Sequence, residues 1–153
     1  MCEFGSRDAT GIPVDGAGPA GPVGSGRIAD GALTLSLAGV RVFIVEDEVL
    51  ILDTLQDMLE DLGCTVAGSA ILLDDALAQA GTLAFDIAIL DVNVAGKRID
   101  PVADLLASRA IPFLFTTGYG RGSLAARHQD RVVVAKPYRK ADLAAALAAV
   151  RPA

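Results

Sequence analysis

Short apolar runs alternate with helix-periodic segments over the last three-quarters of the chain. Residues 40–45, 64–67, 85–90, 113–117 and 131–135 are short and rich in β-branched, aromatic or other apolar side chains, and each is predicted to be a strand. Residues 49–62 put Ile51, Leu55, Met58, Leu59 and Leu62 on one helical face, and Gly63 supplies a stop. Residues 72–80, 101–108 and 139–150 are predicted as further helices, with Asp100 as the N-cap of the second. A shorter helix is expected at 124–129. Because Gly118, Gly120 and Gly122 precede it, this fourth helix is expected to be short or mobile. Five strands alternating with helices predict an α/β fold, a doubly wound five-stranded parallel sheet covered on both faces.

The first 38 residues differ from the rest. They hold eight glycines and three prolines and show no sustained apolar period. Such a segment cannot bury enough surface to offset the entropy of ordering it. Residues 1–38 therefore read as a flexible extension, and the opening Met-Cys-Glu-Phe-Gly-Ser also fits a remnant of cloning; residues 39–153 form the folded domain. Within the extension, residues 32–38 alternate apolar and polar positions and suggest a turn or an edge strand.

Composition narrows the function. No apolar run approaches the roughly 18 residues that span a membrane, and the Gly/Pro-rich start is unlike a signal peptide, so a cytoplasmic location is expected. A net charge of −6 and the absence of a basic stripe argue against a nucleic-acid partner, whose phosphates need Lys and Arg. Cys2 and Cys64 lie far apart and suggest reduced, structural thiols.

Function in such sheets sits at the carboxyl ends of the strands. There the first strand runs into Glu46, Asp47 and Glu48, the third into Asp91, the fourth into Thr116 and Thr117, and the fifth into Lys136 and Pro137. A parallel sheet gathers them on one edge, as an acidic cluster with a hydroxyl and a cation beside it. Clustered carboxylates repel, and a hard divalent cation with oxygen ligands, such as Mg²⁺, relieves that cost. One carboxylate can then act as nucleophile toward a phosphoryl group, with the Lys charge and the Thr hydroxyl holding its oxygens. Each residue alone has a plainer reading. The Glu46–Glu48 triplet suits a helix N-terminus, Asp91 suits a cap, Lys136 suits a surface charge and Thr117 suits local backbone bonding. His128, lacking partners in sequence, reads as an exposed residue, Tyr119 as a loop or contact residue, and Asp53, Asp57, Glu60 and Asp61 as the solvated face of the first helix.

The run Val42-Phe43-Ile44-Val45-Glu46-Asp47-Glu48, the run from Asp86 to Asn93, Thr117 and the pair Lys136-Pro137 together resemble the response-regulator receiver family. The resemblance covers residues 40–150, with Asp47 and Asp91 separated by 44 positions and Thr117 and Lys136 by 19. It implies the flavodoxin-like receiver fold, a two-component role and a histidine-kinase phosphoryl donor. Asp91 would be the phosphoacceptor. Asp47 and Asp91 would ligate Mg²⁺ through their side chains, Asn93 through its backbone carbonyl and Glu46 through a water. Thr117 would be the switch hydroxyl and Lys136 the phosphoryl partner. A cis peptide before Pro137 is also implied. The stretch Pro112-Phe113-Leu114-Phe115-Thr116-Thr117-Gly118-Tyr119 resembles the motif of the FATGUY single-domain regulators, with Thr116 in place of the usual Ala. That subgroup implies HWE-type histidine kinases as partners.

Three positions depart from the family. Val133 stands where many receivers carry an aromatic residue, so another element is expected to transmit the switch. Val94 and Ala95 replace the usual Met-Pro. The sequence predicts that residues 118–123 order when Asp91 is phosphorylated. The favoured function is a receiver without an output domain that signals by protein contact or by phosphorelay to a histidine phosphotransferase. A phosphate sink draining a kinase is the alternative. A haloacid-dehalogenase-like phosphohydrolase is disfavoured because Asn93 stands where that family needs a second Asp. Apart from its own phosphorylation and dephosphorylation, no enzyme activity is expected.

Overall fold

The computed structural model describes residues 36–151. In chain order these form β1 (Arg41–Val45), α1 (Val49–Asp61), β2 (Thr65–Ala70), α2 (Leu73–Thr82) and β3 (Ile87–Asp91). A small hairpin of β4 (Asn93–Val94) and β5 (Lys97–Arg98) follows, then α3 (Asp100–Ser108), β6 (Phe113–Thr117), 3₁₀ turns at Arg121–Ser123 and Ala126–His128, β7 (Val133–Ala135) and α4 (Lys140–Val150). The main sheet runs β2-β1-β3-β6-β7 and every pairing in it is parallel. Among the described residues, no helix is long and apolar enough to cross a membrane. The expected extension at 1–38 lies almost wholly outside the described residues. Of the turn or edge strand suggested at 32–38, the part inside the described residues is not strand but leads into a turn at Ala38 and Gly39, and Leu37 is buried against the domain.

The central strands β1, β3 and β6 are mostly apolar because the period of two sends successive side chains to two different cores. Phe43, Val45, Ala88, Leu90, Phe113 and Phe115 face α2 and α3, where Ala76, Ala80, Val102 and Leu106 meet them. Val42, Ile44, Ile87, Ile89, Leu114 and Val134 face α1 and α4, against Leu52, Leu55, Leu59, Leu143 and Leu147. The doubly wound sheet is therefore as expected. On α1 the acidic residues face solvent as predicted, but Leu52 takes the core position assigned to Ile51, which is only half-buried.

Other elements differ from expectation for local reasons. β2 continues to Ala70, three residues past its predicted end, through small residues that carry no apolar signal. Gly68 is needed there, since a Cβ would lie 2.7 Å from a Leu83 methyl and 2.8 Å from the Gln79 amide oxygen. That close approach lets the Gln79 amide donate to the Ser69 carbonyl at 2.9 Å. Asp100 is not the N-cap of α3. The cap is Ile99, fully buried, and Asp100 begins the helix with its carboxylate on Arg98 at 2.8 Å. Anchoring Ile99 in the core starts the helix one residue early. Cys64 is buried and free, and burial raises its thiol pKa.

No α-helix forms at 124–129. Side chains instead hold two 3₁₀ turns. Arg121 donates to the carbonyls of Gln129 and Arg131, both at 2.7 Å. Arg98 donates to the Ser123 carbonyl at 3.0 Å. Arg127 pairs in two-pronged fashion with Asp104 on α3, at 2.9 and 2.8 Å. His128 is not exposed, as the sequence suggested, but buried beside the Phe113 and Phe115 rings, with Nε2 2.9 Å from Asp104. Chiefly the Arg127 guanidinium holds Asp104 down to about 2. This depressed carboxyl stabilises the fold above the ordinary Asp range, and the contribution falls away as pH drops toward 2. Asp104→Ala strands the buried His128 nitrogen, so urea unfolding at pH 7 is expected to show a loss of about 1–2 kcal/mol.

Candidate functional site

The order of the sheet brings the tips of β1, β3, β6 and β7 together. β3 lies at the centre of the sheet, flanked by β1 and β6, and its last residue, Asp91, pairs with Thr116. Glu46 follows β1 and is almost wholly buried; Asp91 is 7% exposed, Thr117 2%. Asp47 is half-buried and Asn93 exposed, so the pocket opens to solvent on their side. A cavity of about 400 Å³ is bounded by Asp47, Asp91, Asn93, Thr117, Tyr119 and Lys136, among others. The strand tips thus bring Asp47, Glu48, Asp91, Thr117 and Lys136 around one cavity, with Glu46 beside Asp47 and Asp91, while Thr116 and Pro137 do not line it.

Lys136 organises the charges. Its Nζ donates to Glu46 Oε1 at 2.9 Å and to Asp91 Oδ2 at 3.1 Å, with Glu48 further out at 3.9 Å. The peptide between Lys136 and Pro137 is cis. Burial works against the Lys136 charge, but the bonds from Glu46 and Asp91 outweigh it and raise the ammonium pKa. Burial pushes Glu46 up to about 7, against the pull of Lys136 and of the Glu48 amide, which donates to Oε2 at 3.1 Å. The Asn93 amide reaches Asp91 Oδ1 at 3.4 Å.

Oxygens of Glu46, Asp47 and Asp91 all lie within 4.8 Å of one another. A Mg²⁺ ion with bonds of about 2.1 Å spans oxygens up to roughly 4.2 Å apart, so a small inward movement suffices. The donors are hard oxygens, and the open side leaves room for water. The set fits a divalent cation of that kind.

Some contributors were not foreseen. The Ala95 amide donates to Asp47 Oδ2 at 2.9 Å and fixes that carboxylate. It does so from the tight β4–β5 turn, where Ala95 and Gly96 both have positive φ, 50° and 83°. The Ala95-Gly96 pair is the only sequence trace of that turn. Thr117 is engaged with Ser123, a contact that no periodicity announces. Val133 is half-buried and packs on the core beside Phe115, its β-sheet partner.

No family model matches the chain. Among known proteins it is similar to the phyllosphere-induced regulator PhyR of Methylorubrum extorquens, with 31% identity over 114 residues, or 70% of this chain and 42% of PhyR. The chain thus spans less than half the length of that relative. Its structure is similar to that of SdrG from Sphingomonas melonis Fr1, at 43% identity and a TM-score of 0.67 over 73% of this chain and 96% of SdrG. It is also similar to the response-regulator REC domain of PhyR from Erythrobacter litoralis, at 27% identity and a TM-score of 0.66 over 74% of this chain and 90% of that domain. A β2-β1-β3-β6-β7 sheet with an acidic pocket and a lysine at its carboxyl edge defines a signalling receiver. The chain belongs to the response-regulator receiver family and is a signal-transduction protein.

Proposed function

We propose that this chain is a phosphorylation-controlled switch in which Asp91 accepts a phosphoryl group from a histidine kinase. The observation that carries this reading is the Lys136 ammonium shared between Glu46 and Asp91 at the central strand tip. Asp91 supplies the attacking oxygen. The P–N bond of the donor phosphohistidine breaks as a P–O bond to Asp91 forms, and the donor imidazole leaves. Lys136 stays beside the Asp91 carboxyl and offers its positive charge to the phosphoryl oxygens. Thr117, across the same cavity, offers its hydroxyl. Asp47, Asp91, the Asn93 carbonyl and, through water, Glu46 would hold Mg²⁺. When bound, the ion neutralises charge that builds on the phosphoryl oxygens during transfer.

From the motif between Pro112 and Tyr119 we infer membership of the FATGUY subgroup, with an HWE-type histidine kinase or a histidine phosphotransferase as partner, in the cytoplasm. Phosphorylation and hydrolysis act on the chain itself and on no other substrate. Signalling through an output protein is favoured over a phosphate sink, because Thr117 is bonded to a turn beside the highly exposed Tyr119.

Acetyl phosphate with Mg²⁺ is expected to give a hydroxylamine-sensitive adduct by intact-mass spectrometry, and none with chelator present. An adduct that forms equally well in chelator would sink the metal assignment. Mg²⁺ alone should stabilise the fold by about 1.4 kcal/mol at roughly tenfold its dissociation constant. Thermal unfolding of Asp47→Asn should show little of that gain.

A further inference from the structure

Ser123 lies outside the acidic pocket, in the first 3₁₀ turn, yet it contacts the Thr117 hydroxyl. Hydrogen accounting at this contact is restrictive. The Ser123 hydroxyl donates to the Gly120 carbonyl at 2.7 Å. A serine has one hydroxyl hydrogen, so its 3.2 Å contact with Thr117 Oγ1 must take the hydrogen from Thr117. Thr117 Oγ1 meanwhile accepts the Tyr119 amide at 3.0 Å. Its own hydrogen is therefore fully committed to Ser123, and its remaining capacity is as an acceptor. A phosphoryl group on Asp91 presents only acceptor oxygens and needs that same hydrogen.

We propose that Ser123 is a positioning residue, a latch that holds the Thr117 hydroxyl hydrogen away from the phosphoryl site until Asp91 is modified. The proposal rests on the assignment of Asp91 as phosphoacceptor. Modification of Asp91 turns the Thr117 hydrogen inward and breaks the bond to Ser123. The turn at residues 120–123 loses its tie to the sheet edge. Arg98 holds the same turn from the other side, through the Ser123 carbonyl at 3.0 Å. Arg98 lies in the hairpin that begins two residues after Asp91, so the latch and the phosphoacceptor share one short piece of chain. This gives an output path that needs no aromatic residue at Val133. It also changes the expectation for residues 118–123, from ordering on phosphorylation to exchanging one set of bonds for another.

Because the latch competes with the phosphoryl group, its removal favours the modified state by linkage. The test is titration of the full chain with beryllium fluoride and Mg²⁺, followed by amide NMR. Ser123→Ala should bind the mimic about fivefold more tightly, the factor for roughly 1 kcal/mol from one net hydrogen bond. Ser123→Thr keeps the hydroxyl and should stay close to wild type. In a Thr117→Val background, Ser123→Ala should add nothing, since the hydrogen at issue is gone. Ser123→Ala with unchanged or weaker affinity overturns the latch while leaving Asp91 in place. In the wild type itself, Tyr119 and Ser123 amide signals that do not move on binding also overturn it. A wild type that takes no mimic overturns the assignment of Asp91, and the latch with it.

Discussion

Asp91→Asn is expected to abolish phosphoryl uptake. With acetyl phosphate and Mg²⁺, its intact mass should stay unmodified under conditions that label the wild type, a loss of at least about 100-fold in rate. The substitution keeps size and shape but replaces a carboxylate oxygen with a neutral amide, a poor nucleophile. It also takes one of the three carboxylates from the proposed metal set. The fold should survive. Asp91 is one of the charges that raise Glu46, so making it neutral relieves repulsion in a buried place and leaves Lys136 still paired with Glu46. A circular dichroism spectrum and melting temperature no lower than wild type would attribute the lost label to chemistry. Labelling of the variant at the wild-type rate would place the acceptor elsewhere.

Lys136→Met is expected to act on both uptake and stability. Uptake should fall by roughly 100-fold, because the phosphoryl oxygens lose their cation in a partly desolvated pocket. Stability without Mg²⁺ should fall by about 2 kcal/mol near pH 8. Removing one partner of a buried ion pair costs about 3–5 kcal/mol, and solvent on the open side of this pocket reduces that. The pH dependence has a definite sign. Burial raises Glu46 from its ordinary value near 4.5 to about 7, so its contribution is fully present below about pH 4.5 and lost as pH rises through 7. Without Lys136 that carboxyl rises further. The deficit of the variant should therefore be small at pH 5.5, where Glu46 is protonated in the variant and asks for no cation, and largest near pH 8. Urea unfolding at both pH values, with and without Mg²⁺, gives the comparison. A deficit that is the same at both would remove Glu46 from the explanation.

The pocket was legible because its residues end strands. Asp91 and Lys136 each follow a run whose apolar side chains mark a buried strand, and in a parallel sheet the ends of such strands share an edge. Their local signals place them without knowledge of long-range contacts. His128 shows where this reasoning stops. Its immediate neighbours, Arg127, Gln129 and Asp130, are polar, so nothing local indicates burial; its partner, Asp104, lies 24 residues away on α3. Asp100 failed as a cap for a similar reason, since the start of α3 is set by the burial of Ile99 in the tertiary core and not by the capping preference of the next residue.

The sequence alone determined the α/β class, the five strands, the two faces of the sheet and the residues of the acidic pocket. Each of these follows from hydrophobic period and strand termini, which are local properties of the chain. Tertiary structure alone decided how the segment from Gly118 to Val132 is held. Its glycines leave many backbone conformations open, so local preference selects none. Guanidinium groups of Arg98, Arg121 and Arg127 reach carbonyls and a carboxylate brought near only by folding, and their bonds pick two 3₁₀ turns in place of a helix. The same placement commits the Thr117 hydrogen to Ser123, because a hydroxyl bonds to whatever acceptor the fold sets within about 3 Å of it.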